Sequence, residues 1–256
     1  MLKLLGVPLE QLSRSQVITR IKDSKTPFFI VTVNPEILLH AWRNNEYSDT
    51  LKSADMRVVD GFGIVLMARL LYRIKLERFP GADLAEEILR IAAQRKWRVF
   101  LLGGSEEVNE WPVKRFKTLP SQHSAFGGKY DLRFKNVAGL GGRFSEKEAI
   151  EKITKFKPDI LFVALGAPKQ ELFIHNILKS NILNRKSIAI GIGGAIDYWA
   201  YPWLRAPYIV RRIGFEWLWR VILQPWRLPR ILKAVFVFPF ACVYERILLQ
   251  WQNENH

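Results

Sequence analysis

The chain is most tightly constrained between Asp159 and Asn176, DILFVALGAPKQELFIHN. An unbroken apolar run from Ile160 to Leu165 reads as a strand buried on both faces. Gly166 ends it, and Pro168, with its fixed φ, suits the first turn of a helix. Leu172, Ile174, Ile177 and Leu178 then recur at roughly helical spacing. Lys169, Gln170 and Glu171 therefore fall at a helix N-terminus just past a strand end, where free backbone N–H groups receive a phosphate well.

The rest of the chain repeats this plan. Ser13 to Gln16 and Ser145 to Glu148 are spaced as capping boxes, the first opening a helix to about Lys22. Strands are expected over Phe28–Val33, Met56–Val59, Arg98–Leu102 and Ser187–Ile192, and helices from Glu36 and from Leu84. The section from Pro112 to Arg143 is the least legible and is given one short strand. Alternation of this kind predicts an α/β fold, a Rossmann-like and mostly parallel sheet with helices on both faces. Ligands of such sheets bind outside the carboxyl ends of the strands. The polar and glycine-rich groups here follow strand ends: Thr32 and Asn34, Asp60, Gly103-Gly104, Gly166 to Glu171, and Gly193-Gly194 to Asp197.

After about residue 200 the character changes. On a helix begun at Tyr208, Arg212, Glu216 and Arg220 form one polar stripe, while Ile209, Val210, Trp217, Leu218, Val221 and Ile222 cover much of the rest. Six of the nine tryptophans lie from Trp199 onward, among further arginines and lysines. Tryptophan and basic residues beside an apolar face fit a segment lying on an anionic membrane. The rival reading is a buried helix whose arginines pair internally, as Arg212–Glu216 and Glu216–Arg220 at i,i+4. The sequence thus divides into a catalytic α/β domain, 1–200, and a helical appendage, 201–256.

The net charge of +15 fits an anionic partner: nucleic acid, lipid or a phosphorylated substrate. The single cysteine, Cys242, excludes an internal disulfide and favours a reducing compartment. The N-terminus MLKLLGVPLEQLS lacks the apolar core and cleavage site of a signal peptide, and no uncharged apolar stretch reaches the roughly 20 residues of a spanning helix.

Neither Gly191-Ile-Gly193-Gly194 nor Gly139-Leu-Gly141-Gly142 carries the third glycine of G-x-G-x-x-G, which argues against a nicotinamide enzyme. No Walker sequence, G-x-S-x-G or histidine cluster of metal-ligand spacing occurs. With no D-x-D pair to hold a metal, a bound diphosphate has to be neutralised by arginine, lysine and helix N-termini. Asp60 is the best general-base candidate, a carboxylate at a strand end beside Gly61; an Asp-Gly pair is also an ordinary turn. Arg78, before Pro80-Gly81, is a candidate phosphate contact.

An ordered set of motifs then matches a known family. Thr32-x-Asn34-x-Glu36, Asp60-Gly61, Arg78-x-x-Gly81-x-Asp83-Leu84, Gly103-Gly104, Gly166-x-Pro168-Lys169-Gln170-Glu171, Gly193-Gly194-x-x-Asp197 and Arg205-Ala206-Pro207 leading to Glu216-Trp217-x-x-Arg220 resemble the WecG/TagA/CpsF glycosyltransferases of bacterial cell-envelope polymer synthesis. The resemblance implies a peripheral enzyme at the cytoplasmic face of the membrane, with no cofactor. It would move N-acetylmannosamine or a related sugar from a UDP-sugar to a polyprenyl-diphosphate-linked acceptor, with inversion and without an obligatory metal. Asp60 would be the base, and Thr32, Asn34 and Gln170 would touch the reacting sugars. Lys169, Arg78 and the glycine loops would hold the leaving diphosphate, and Arg211, Arg212 and Arg220 would serve the lipid diphosphate. Tyr201 departs from the family's usual glycine, and Gln122 to Arg143 match poorly. A homo-oligomer is left open. The alternative, a non-catalytic basic nucleic-acid-binding protein, explains neither the strand-end loops nor the amphipathic tail.

Overall fold

The computed structural model describes residues 2–118, 136–183, 186–212 and 214–254. Its strands are β1 (Leu2–Leu4), β2 (Val7–Leu9), β3 (Phe28–Val33), β4 (Met56–Val59), β5 (Val99–Gly103), β6 (Val137–Leu140), β7 (Ile160–Ala164) and β8 (Ile188–Gly191). Its helices are α1 (Arg14–Asp23), α2 (Pro35–Arg43), α3 (Asn45–Lys52), α4 (Phe62–Tyr72), α5 (Gly81–Gln94), α6 (Glu106–Thr118), α7 (Glu146–Phe156), α8 (Lys169–Lys179), α9 (Ile196–Ala200), α10 (Tyr208–Arg212), α11 (Glu216–Leu223), α12 (Leu228–Leu232) and α13 (Phe238–Glu254).

Six strands form one parallel sheet in the order β4-β3-β8-β7-β5-β6, and β1 and β2 pair as a separate antiparallel hairpin. The central strands read as nearly continuous Val/Ile/Leu/Phe runs because both sheet faces are covered. One face carries α1, α5, α6 and α9 through Val17, Ile88, Phe116 and Trp199; the other carries α2, α3, α8 and α13 through Ile37, Tyr47, Ile174 and Phe238. The register is level across the middle: Phe28 and Ile160 both stand opposite Ile188, and Val99 opposite Ile160. Strands that begin level and run four to six residues also finish level. Their outgoing loops therefore share one rim.

The expected strands and the helices α1, α2, α5, α7 and α8 all form, and β6 is the short strand assigned to the section 112–143. Much of that section, Gln122 included, lies outside the described residues. The Ser13–Gln16 capping box is reciprocal, but Ser145 caps α7 on its own, because Glu148 turns to Lys152. The β1–β2 hairpin, α3 and α4 answer to no expectation from the sequence. The hairpin turns on Leu5 and Gly6, both at positive φ, and their N–H groups donate to the Glu245 carboxylate of α13 at 2.7 and 2.9 Å.

One helix expectation is corrected. The helix begun at Tyr208 does not run on through Arg220; it breaks at Gly214, whose φ of +86 no other residue adopts readily. A Cβ there would come 3.0 Å from the Phe62 ring. The break turns α11 back over the sheet rim, so the i,i+4 partners Glu216 and Arg220 bond elsewhere.

Candidate active site

The level strand ends open into a cleft of about 510 Å³. Thr32, Asn34, Asp60, Arg78, Gly104, Gly166, Gln170, Gly193, Gly194, Asp197 and Arg220 all line it, although they span nearly two hundred residues of chain. Each is set by a local rule. Thr32 closes the buried end of β3, its hydroxyl donating to the Gly191 carbonyl at 3.2 Å. Asn34 is the N-cap of α2, its Oδ1 accepting from the Ile37 N–H at 3.0 Å, which leaves the amide nitrogen for a ligand. Gly81 lies against Thr32 so closely that a Cβ would meet its hydroxyl at 3.1 Å.

Asp60 follows β4 directly, its N–H donating to Val33 at 2.8 Å and its carbonyl accepting from Arg78 Nε at 2.7 Å. Four carboxylates line the cleft. Asp197 pairs with Arg227 at 3.5 Å, Glu36 takes both arms of Arg230 at 2.9 and 2.8 Å, and Glu216 accepts from Tyr198 Oη at 2.9 Å with Arg78 at 3.8 Å. The Asp60 carboxylate has no ion pair among the described residues. Burial raises its pKa to about 6, opposed chiefly by the nearby Arg78 and by a backbone hydrogen bond from Gly81. A carboxylate of this kind is ionised at neutral pH yet basic enough to take a proton.

Several expected contacts sit elsewhere. Lys169 is exposed outside the cleft lining, because the first turn of α8 points its side chain away from the rim. Glu171 is buried beneath the cleft, where its Oε2 accepts from Tyr47 Oη at 2.8 Å and its Oε1 from Gln170 Nε2 at 2.6 Å. Burial raises the Glu171 pKa to about 7. Gly103 belongs to the sheet, where a Cβ would strike the Ala164 carbonyl at 2.5 Å. Arg211 turns from the cleft to Asp83 at 3.2 Å, although its carbonyl accepts from Arg78. The side chain of Arg212 lies outside the described residues. Gln170 reaches the cleft with both ends of its amide engaged, for its Oε1 also accepts from the Gly193 N–H at 3.0 Å.

Sequence reasoning missed Glu36, Tyr198, Glu216, Arg227 and Arg230 as members of the lining. Arg220 donates to the Gly194 carbonyl at 3.1 Å and to Tyr198 Oη, and stacks over the Tyr198 ring at 4.4 Å. The crowding of Arg and Trp after residue 200 was visible, but nothing local said which way each faced. The cleft therefore joins one unpaired carboxylate, a glycine loop and four arginines, groups suited to accept a proton and to stabilise a departing anion.

The sequence profile of the WecG/TagA/CpsF glycosyl transferase family matches residues 2–252. The chain belongs to that family. It is 34% identical over 213 residues to an N-acetylglucosaminyldiphosphoundecaprenol N-acetyl-beta-D-mannosaminyltransferase of Bacillus subtilis, covering 82% of this chain and 77% of the relative. It is 32% identical over 246 residues to a protein of the same name from Staphylococcus aureus strain MRSA252, covering 93% and 90%. The protein is thus a glycosyltransferase, built on the six-stranded parallel sheet that its sequence predicts. The nucleic-acid alternative finds no support.

Proposed function

We propose that this glycosyltransferase moves N-acetylmannosamine from a UDP-sugar to an N-acetylglucosamine carried on a polyprenyl diphosphate. The relatives' names supply the sugar and the acceptor. The observation that carries the reading is the unpaired Asp60 carboxylate in a cleft otherwise lined by paired acids and arginines. Asp60 takes the proton of the acceptor hydroxyl. The freed oxygen bonds to the anomeric carbon from one side as the bond to the UDP oxygen breaks on the other, which inverts that centre. Arg78, Arg220 and Arg227, beside the Gly193 loop, receive the charge on the departing diphosphate, and no metal is required. Thr32, Asn34 and Gln170 shape the sugar side of the cleft.

Residues 1–200 form the catalytic unit in this proposal, and residues 201–256 hold it against the inner, anionic face of the membrane, where the acceptor lipid resides. Two features support that arrangement. No described helix is long and apolar enough to cross a membrane, and the segment from Trp203 onward exposes Ile209, Ile222, Trp226, Phe236 and Phe240. The test is UDP release from UDP-N-acetylmannosamine with a lipid-diphosphate N-acetylglucosamine acceptor. Transfer that persists in Asp60→Asn would overturn the mechanism, and release only with other UDP-sugars would overturn the donor.

A further inference from the structure

Glu171 is 1% exposed and forms no ion pair among the described residues. Its carboxylate lies under the cleft, where the side chains that hydrogen-bond it among the described residues are the Tyr47 hydroxyl and the Gln170 amide. Tyr47, on α3, is also 1% exposed and does not line the cleft. A buried carboxylate without a cation is unfavourable for folding, and an apolar pair of the same volume would pack there at lower cost. The fold keeps this pair where it adjoins the reacting loop.

A glutamine amide has two ends of nearly equal size, distinguished only by what they donate and accept. An ionised carboxylate, as Glu171 is above its pKa of about 7, only accepts, and a backbone N–H only donates. Gln170 sits between one of each: Nε2 to Glu171 Oε1 at 2.6 Å, Oε1 from the Gly193 N–H at 3.0 Å. Turned over, the amide would set oxygen against carboxylate and N–H2 against N–H. Nothing else fixes the choice, because the other wall is the bare backbone of Gly191, where a Cβ would come 2.6 Å from Gln170 Nε2. Gly193 in turn is held at φ +46, at the head of the loop that lines the cleft.

We infer that Glu171 and Tyr47 are positioning residues of the transfer reaction. The Tyr47 hydroxyl holds the Glu171 carboxylate, the carboxylate fixes the orientation of the Gln170 amide, and the amide holds the Gly193 loop in its reactive shape. Neither residue touches substrate; both act through Gln170. The inference rests on the cleft being the transfer site.

The test is a double-mutant cycle. Glu171→Gln keeps the volume but presents an amide of either polarity to Gln170, so the lock is lost. It is expected to lower kcat/KM for UDP release roughly tenfold, as a small misplacement of a reacting group does. Tyr47→Phe is expected to lower it by a smaller factor, and both variants should melt close to the parent. In a Gln170→Ala background, both substitutions should have no further effect, because the route they act through is gone. A merely structural role would give losses that multiply. Hydrogen exchange of the Gly193 amide supplies a readout independent of turnover: it should quicken in both single variants. Parent-like kcat/KM in Glu171→Gln, multiplying losses in the cycle, or unchanged exchange at Gly193 would each overturn the inference. The Asp60→Asn variant separates the two readings. If it retains turnover, the site itself is wrong; if it is inactive while Glu171→Gln is unimpaired, only the positioning role fails.

Discussion

The sheet body and the segment after Tyr201 bury opposite kinds of side chain. In the body, apolar strands and helix faces meet inside, and most charges of the helices point to solvent, with Glu86 and Glu171 as buried exceptions. After Tyr201, arginines turn inward: Arg220 to Gly194, Arg227 to Asp197, Arg230 to Glu36, and Arg205 to Asp83 and Glu86. The apolar residues of that segment face out. All but five of the exposed large apolar side chains among the described residues follow Tyr201, and those five are Trp42, Phe62, Leu66, Leu70 and Trp111. The contact with the body is thus largely polar there, and the large apolar side chains are left on the outside. Of the two readings weighed from the sequence, paired arginines describe the inward face, though with partners on the body, and the membrane contact proposed above would use the outward one. Only Phe238, Ala241 and Cys242 of α13 enter the core in the ordinary way.

The contrast is broken most severely by removing the body's own reactive group. Asp60→Asn is expected to lower turnover by about 10²- to 10⁴-fold, the usual contribution of a general base. It should not lower the melting temperature at pH 7.5. The folded-state pKa of Asp60, about 6, lies above its ordinary value of 3.8, so the native state holds the proton more tightly than the unfolded chain. That contribution to stability is complete below about pH 4 and is lost as pH rises through 6, a difference of about 3 kcal/mol. Asparagine cannot lose it, so thermal unfolding against pH should show a gentler slope between pH 4 and 7 in the variant. A melting temperature that drops sharply would make Asp60 structural.

The inward face of the second region is tested next. Arg220→Ala and Arg227→Ala should each lower kcat/KM for the UDP-sugar by about 10-fold or more, since a charge-assisted contact to a phosphate is lost. Full activity in both would leave the body to act alone. In the parent, kcat/KM should climb with pH as Asp60 ionises and level off above about 6. A profile flat down to pH 4.5 would remove Asp60 from the reaction.

The outward face carries the smallest effect on chemistry. Ile209→Ser combined with Trp226→Ser should weaken sedimentation with anionic vesicles, each exposed side chain contributing about 1.5–3 kcal/mol when buried in lipid. Turnover on a short-chain, detergent-free acceptor should stay within about twofold, because both side chains are exposed and neither lines the cleft. Unchanged sedimentation would move the membrane contact elsewhere, and a matching loss on the short-chain acceptor would merge the two faces into one function.

What could be read from the sequence alone was whatever depends on near neighbours. The apolar runs at Phe28, Val99, Ile160 and Ile188, the Ser13 box and the glycines at strand ends each report their conformation within a few residues. From these the parallel sheet and its loaded rim follow, as does Asp60 at the end of β4. The hairpin at Leu2 to Leu9 escaped because its turn is closed by Glu245, near the other end of the chain. Glu171 looked like a ligand contact because Gly166 and Gln170 beside it line the cleft, yet a helix turns about 100° per residue and carried it under the floor to Tyr47. The direction each arginine of the last quarter faces was likewise undetermined. The partners that Arg220, Arg227 and Arg230 find on the body lie 22 to 194 residues away, and a local pattern carries no information about which distant group will arrive beside it.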